Sequence, residues 1–335
     1  MLYFCKKSAL QKILIIRLSS IGDIVLTTPV VRCIKMQVPG AEVHFAVKKA
    51  FLPVVKVNPY IDKIHAFEGG LREFARELKQ ENFDFIVDLH QSLRSKYIRQ
   101  KSGTPSLGFP KLNFQKWLLV WFKLNLLPDI HIVDRYFMAA APLKVKNDGK
   151  GLDYFIPEDE VYDTAQLPVS HREGYAAFAI GAKHATKRLP AHKIVTLCQR
   201  LDIPVVLLGD REDAVIGSAI AEACGPMVYS LCGELSLNQS ASVVQQASYL
   251  ITHDTGLMHI AAAFRKKIIS VWGNTVPAFG MYPYMPGDED RSVIIEKHGL
   301  KCRPCSKLGH QRCPRGHFKC MEELDMAWVA KHGKV

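Results

Sequence analysis

The 335 residues carry 44 Lys and Arg against 32 Asp and Glu, giving a formal net charge of +12, and 48% are hydrophobic. A chain of this length favours two domains with sizeable cores, and its excess of cations predicts an anionic partner. It contains no run of 18 apolar residues, which excludes a membrane-crossing helix, and its first twelve residues lack the pattern of a secretory signal, so a cytoplasmic location is expected.

In chain order, strands are predicted at Lys12–Leu18, Glu42–Val47, Lys63–Phe67, Phe83–Leu89 and Ser106–Phe109. Helical patterns fall between them, near Ile24–Met36, Phe51–Val57, Leu71–Glu81 and Leu93–Lys101. Continuous apolar strands such as K-I-L-I-I suit a parallel sheet covered on both faces, and the alternation reads as βαβ units. Phe114–Leu127 is apolar, with two Trp and with Lys116 and Lys123 interspersed. It fits either a core or pocket-wall helix or a helix lying in a membrane interface, and the core reading is preferred because interfacial helices carry a fuller polar face.

The stretch 144–169 is rich in charge, Gly and Pro and reads as the inter-domain connection. Alternation then resumes. Strands are predicted at Tyr175–Ile180, Val205–Leu208, Met227–Ser230, Tyr249–Thr252 and Lys267–Val271, with helices at Ala191–Leu201, Glu212–Cys224, Asn238–Gln246 and Gly256–Phe264. The expected domains are 1–165, 166–320 and a final helix, 321–335, that returns to the first domain. Two Rossmann-like halves facing one another would form a cleft between their strand ends.

Two loops carry chemistry. R-L-S-S-I-G-D at Arg17–Asp23 follows the first strand and puts Ser19, Ser20, Gly22 and the lone carboxylate of Asp23 where α/β proteins place ligands. The other reading of Asp23 is a helix cap. D-T-G-L-M-H at Asp254–His259 follows another apolar strand. Asp254 or Thr255 can cap the helix, Gly256 admits close backbone approach, and the helix N-terminus offers N–H groups to a phosphate. His259 lies one turn in, although it and Asp254 would equally serve as packing residue and cap. The basic loop Gly181–Pro190 follows a strand and puts its cations where a diphosphate would lie.

The ordered pair of motifs, R-L-S-S-I-G-D-I-V-L-T-T-P and D-T-G-L-M-H-I-A-A-A, resembles the ADP-heptose:lipopolysaccharide heptosyltransferases of glycosyltransferase family 9. Supporting stretches are Pro39–Val43, His131–Tyr136 and Trp272–Thr275. The resemblance implies an α/β GT-B fold and inverting, metal-independent transfer of a heptose from ADP-heptose onto the lipopolysaccharide inner core. It makes Asp23 the general base and Lys187 the contact to the donor phosphate, with Lys183 as second candidate. It gives Glu212, or else Asp210 or Asp213, the donor ribose, and makes Asp254, Thr255, Gly256 and His259 the donor-binding motif. The implied partners are the ADP-sugar, a lipid A-core acceptor and the anionic cytoplasmic face of the inner membrane, where the protein would sit peripherally.

Five cysteines, Cys5, Cys33, Cys198, Cys224 and Cys232, read as ordinary thiols. Cys302, Cys305, Cys313 and Cys320, with His310 and His317 nearby, fit either a structural zinc or reduced thiols on a basic loop. Two rivals remain. One is a GT-B transferase using another nucleotide sugar; the other is a basic, zinc-containing nucleic-acid binder without catalysis. The second is disfavoured because Asp23, Glu212 and Asp254 would repel a phosphate backbone and no nucleic-acid motif is present.

Overall fold

The computed structural model describes residues 11–333, and Cys5 lies outside the described residues. The chain forms two units, each built on its own parallel sheet. The first comprises the described residues up to Lys111 together with Ile130–Phe155; the second comprises Leu112–Asp129 and the chain from Ile156 onward.

In the first unit the chain runs β1 (Gln11–Ile16), α1 (Ile21–Val25), α2 (Thr28–Gln37), β2 (Ala41–Lys48), a 3-10 turn (Lys49–Val54), β3 (Lys63–Phe67), α3 (Leu71–Gln80), β4 (Phe85–Asp88), α4 (Leu93–Ser102) and β5 (Ser106–Gly108). Helix α5 (Asn113–Phe122) groups with the second unit, and α6 (Ile132–Phe137) completes the first. The sheet order is β3-β2-β1-β4-β5. Ile13–Ile16 have no solvent exposure, as a central parallel strand covered on both faces requires.

The single helix predicted over Ile24–Met36 is two. The hydroxyls of Thr27 and Thr28 donate back to the Ile24 and Val25 carbonyls, at 2.6 and 2.8 Å. Pro29, with no N–H to give, starts the second helix in its first turn. The helix expected at Phe51–Val57 is the 3-10 turn, with Pro53 inside it.

The predicted connection 144–169 divides at Phe155, because its first part is tied into the first unit. Buried Arg32 on α2 donates to both carboxylate oxygens of Asp148, at 2.9 and 2.8 Å, to the Gly151 carbonyl at 2.9 Å, and to Asp153.

The second unit continues α7 (Val169–Arg172), β6 (Ala176–Ala179), α8 (Ala191–Cys198), β7 (Val205–Leu208), α9 (Ala214–Cys224), β8 (Val228–Ser230), α10 (Leu237–Gln246), β9 (Tyr249–His253), α11 (Gly256–Ala263), β10 (Lys267–Trp272), β11 (Ser292–Glu296), α12 (Lys319–Glu322) and α13 (Met326–Gly333). Its order is β11-β10-β9-β6-β7-β8. Strand β11, absent from the sequence reading, pairs parallel to β10 from Ile268↔Ser292 onward. Helix α13, expected to return to the first domain, packs against α8 and β10 of the second unit, with Met326, Val329 and Ala330 in its core. Cys33, Cys198 and Cys232 are buried and Cys224 is half-buried, in keeping with ordinary thiols. No described helix is long and apolar enough to cross a membrane.

Candidate functional site

Each sheet has one place where the strand order reverses, and α/β proteins hold ligands beyond the carboxyl ends of the strands there. In the first unit that place lies between β1 and β4, and the loop 17–23 leaves from it. Ser20 is the N-cap of α1, Gly22 is buried, and Asp23 sits in the first turn with about a quarter of its side chain exposed. Asp23 accepts from the Ser20 hydroxyl at 2.7 Å and from the Ser20 amide at 3.3 Å. Its other carboxylate oxygen is ion-paired with Arg17. The capping contacts are thus present, and part of the carboxylate stays open to solvent.

Arg17, which the sequence reading left without a role, is tied to this loop. It is buried, and it bridges both strand ends: it donates to the Ser19 carbonyl at 2.8 Å, to the Leu89 carbonyl after β4, and to the Tyr136 hydroxyl at 3.1 Å. Burial works against its charge, but Asp23, Tyr136 and Asp88 more than offset this and leave its pKa raised. His90, also unassigned from sequence, follows β4. Burial, then the Arg17 and Lys111 cations, push its pKa down to about 4, so its ring is neutral near pH 7.

In the second unit the order reverses between β6 and β9. The loop after β6 carries Lys183 and Lys187; the loop after β9 carries Asp254, Thr255 and Gly256. The two loops meet. Lys187 Nζ lies 2.5 Å from Asp254 Oδ2 and 3.3 Å from the Asp254 carbonyl. Thr275 Oγ1 donates to the same carboxylate oxygen at 3.0 Å. Thr255 is the N-cap of α11 and makes no side-chain cap to it, and Gly256 is its first residue. His259 is buried one turn in. Burial, then the Lys187 and Lys183 cations, lower the pKa of His184, as a positive loop should.

Lys183 and Glu212 are exposed and stay outside the Lys187–Asp254–Thr275 cluster. Of the acids considered after β7, Asp213 is the buried one. It pairs with Arg188 at 2.9 Å and accepts from the Asp210 amide at 3.1 Å. Its carboxylate occupies space a side chain at Gly181 would need: a Cβ there would lie 2.1 Å from Asp213 Oδ2. Asp213 thus holds the two loops together, and Glu212 is left facing solvent.

The C-terminal cysteine loop braces this half-site. The His310 amide donates to Thr186 Oγ1 at 2.8 Å, and Arg303 donates to the Gly273 and Thr275 carbonyls at 2.6 and 2.8 Å. Cys302 Sγ is 3.8 Å from His317 Nε2. Burial pushes the Cys320 thiol up to about 12 and raises Cys305 too. Among the described residues, the group that brings three metal-ligating atoms within 4.8 Å of one another is His44, His65 and Glu81. The four cysteines are not part of that group. The histidine group is already satisfied. His44 and His65 share a 2.8 Å hydrogen bond, and Glu81 is neutralised by Lys12 and Lys63. A cavity of ≈ 370 Å³ beside α8, lined by His192, Arg200, Glu322 and Asp325 among others, contains none of the motif residues.

A protein-family model, glycosyltransferase family 9 (heptosyltransferase), matches residues 71–311. The chain is 25% identical over 326 residues to lipopolysaccharide heptosyltransferase 1 of Pseudomonas aeruginosa, covering 89% of this chain and 86% of that protein. Among solved structures, it matches a family 9 glycosyl transferase from Veillonella parvula with a TM-score of 0.77 and 21% identity, over 97% and 96% of the two chains. It matches the ADP-heptose lipopolysaccharide heptosyltransferase II of Escherichia coli with a TM-score of 0.71 and 21% identity, over 96% and 97%. These structural likenesses show the GT-B fold class expected from the sequence.

Proposed function

Because the chain belongs to glycosyltransferase family 9, it is a glycosyltransferase, and we propose that it moves a heptose from ADP-heptose onto the lipopolysaccharide inner core. The observation that carries this reading is the placement of both motif loops at the two strand-order reversals, one with a directed carboxylate and one with a paired Lys187 and Asp254.

Asp23 takes the proton of the acceptor hydroxyl as it attacks the anomeric carbon, and the configuration there inverts. Arg17 and Ser20 position the carboxylate. Lys187 and the N–H groups at the start of α11 stabilise the charge that develops on the departing ADP. Asp254 accepts from sugar hydroxyls while holding Lys187 in place, and Thr275 fixes its orientation. These roles call on no metal. On this reading the enzyme meets its lipid-anchored acceptor peripherally, at the cytoplasmic face of the inner membrane.

The test is a donor screen. ADP-heptose, UDP-sugars and GDP-sugars are titrated by calorimetry, and each is then offered with truncated lipopolysaccharide. Binding and transfer confined to ADP-heptose support the reading. Transfer from a UDP- or GDP-sugar, with ADP-heptose inert, would replace it with a different sugar-nucleotide specificity on the same fold.

A further inference from the structure

Helix α5 was expected in a core or a pocket wall, and it is not in a core. Leu119 is its one buried residue, whereas Phe114, Trp117, Trp121 and Phe122 face solvent, with Trp121 71% and Phe114 66% exposed. These four recur at i, i+3, i+7 and i+8, which is a single helix face. Trp117 stacks on Phe114 at 6.1 Å and meets the edge of Phe122 at 5.1 Å, forming an aromatic ridge. Leu124 and Leu126 extend the apolar surface beyond the helix. Residues 113–128 contain no Asp or Glu. An exposed apolar face of this kind is costly in water and marks an interaction surface.

The chemistry beside it says what covers it. Just past the helix end, Lys123 donates to the Pro304 carbonyl at 2.7 Å and reaches the Cys302 carbonyl at 3.4 Å, which pins α5 to the cysteine loop of the same unit. That loop has no acid between Glu296 and Glu322, and Lys301, Lys307, Arg312 and Arg315 stand exposed on it, as does Leu308. An aromatic ridge joined to an acid-free basic loop combines the two signals that hold a protein on an anionic lipid surface: apolar insertion at headgroup depth and attraction to lipid charge. Ten residues of helix span about 15 Å, half a bilayer's hydrocarbon thickness, so α5 lies in the interface and does not cross it.

We propose that α5 and the basic cysteine loop form the surface by which the protein docks on an anionic bilayer. The proposal deepens the functional reading above, on which it rests for the acceptor's membrane setting. It also accounts for part of the +12 charge and gives the cysteine loop a second role besides bracing the donor loops.

The full chain is sedimented with phosphatidylcholine vesicles and with vesicles containing phosphatidylglycerol. Two variants run alongside: Trp117→Ser/Trp121→Ser/Phe122→Ser and Lys307→Gln/Arg312→Gln/Arg315→Gln. Their thermal midpoints verify folding. The native chain should bind anionic vesicles at least about tenfold more tightly than neutral ones, with a blue shift of Trp emission. The aromatic variant should lose binding to both vesicles by about tenfold or more, and the basic variant only its preference for the anionic ones. Both should keep native transfer onto a deacylated, water-soluble acceptor. Failure of the native chain to bind either vesicle, or native binding by the aromatic variant, would overturn the proposal. So would a solution dimer of the native chain that the aromatic variant abolishes, since a second copy would then be the occupant. An enzyme inert on the soluble acceptor that still docks as described contradicts the transfer reading and leaves the docking surface standing.

Discussion

Asp23 owes its direction to two neighbours. The Ser20 hydroxyl holds one carboxylate oxygen and the Arg17 guanidinium the other, while Arg17 is itself fixed by carbonyls from two strand ends. A carboxylate held this way presents its remaining lone pairs along one direction. The same economy appears in the second unit, where Asp254 is shared between Lys187 and Thr275. The two candidate phosphate lysines differ in this respect. Lys187 is anchored and mostly buried, whereas Lys183 is exposed. Lys187→Ala is therefore predicted to lower kcat by about 10²-fold or more, through lost stabilisation of the leaving diphosphate. Lys183→Ala should change it by less than about fivefold, the scale of an exposed charge. Steady-state kinetics with ADP-heptose distinguish them; equal losses would remove the distinction drawn from the geometry.

At the scale of elements, what the sequence made legible depended on what each segment must bury. β1 and β9 contain the continuous apolar runs Ile13–Ile16 and Tyr249–Ile251, so both strands, and the motif loops that follow them, could be placed from the sequence alone. α5 has an equally apolar sequence but an exposed face, because composition states what a helix would bury and not whether a partner exists. β11 was missed because S-V-I-I-E is short and flanked by charge, and only its pairing with β10 makes it a strand. Arg17 and Thr275 were quoted in motifs without roles, since their partners lie up to 119 residues away in the chain. Arg32 shows the same long-range logic. Its pairing with Asp148 and Asp153 keeps the stretch after α6 on the first unit. Arg32→Ala leaves two carboxylates without their cation, and a loss of about 3–5 kcal/mol in unfolding free energy is predicted from urea denaturation. A loss under about 1 kcal/mol would show that this tie contributes little.

For the molecule as a whole, buried His253 and half-buried His65 and His90 set an acid limit. Burial pushes His65 and His90 down to about 4 and His253 to about 3, helped respectively by His44, by Arg17 and by Arg188. His253 Nε2 accepts from the Leu189 amide at 2.9 Å, a bond its protonation would destroy. Each folded pKa lies below the unfolded value near 6.5, so the folded state binds fewer protons. Stability from this source is complete above about pH 6.5 and falls as the pH drops towards 4. The fall by pH 5 should be on the order of 1–2 kcal/mol for each histidine, and denaturant midpoints at pH 7.5 and 5.0 measure it. Equal midpoints would contradict the neutral, buried assignment. On the proposed function, Asp23 is the base of a transfer whose donor binds at the Lys187–Asp254 loops. Asp23→Asn, assayed for heptose transfer from ADP-heptose and titrated with ADP-heptose by calorimetry, tests it most directly. Transfer should fall by about 10²–10⁴-fold with donor affinity unchanged. Transfer within a few-fold of the native rate would contradict it.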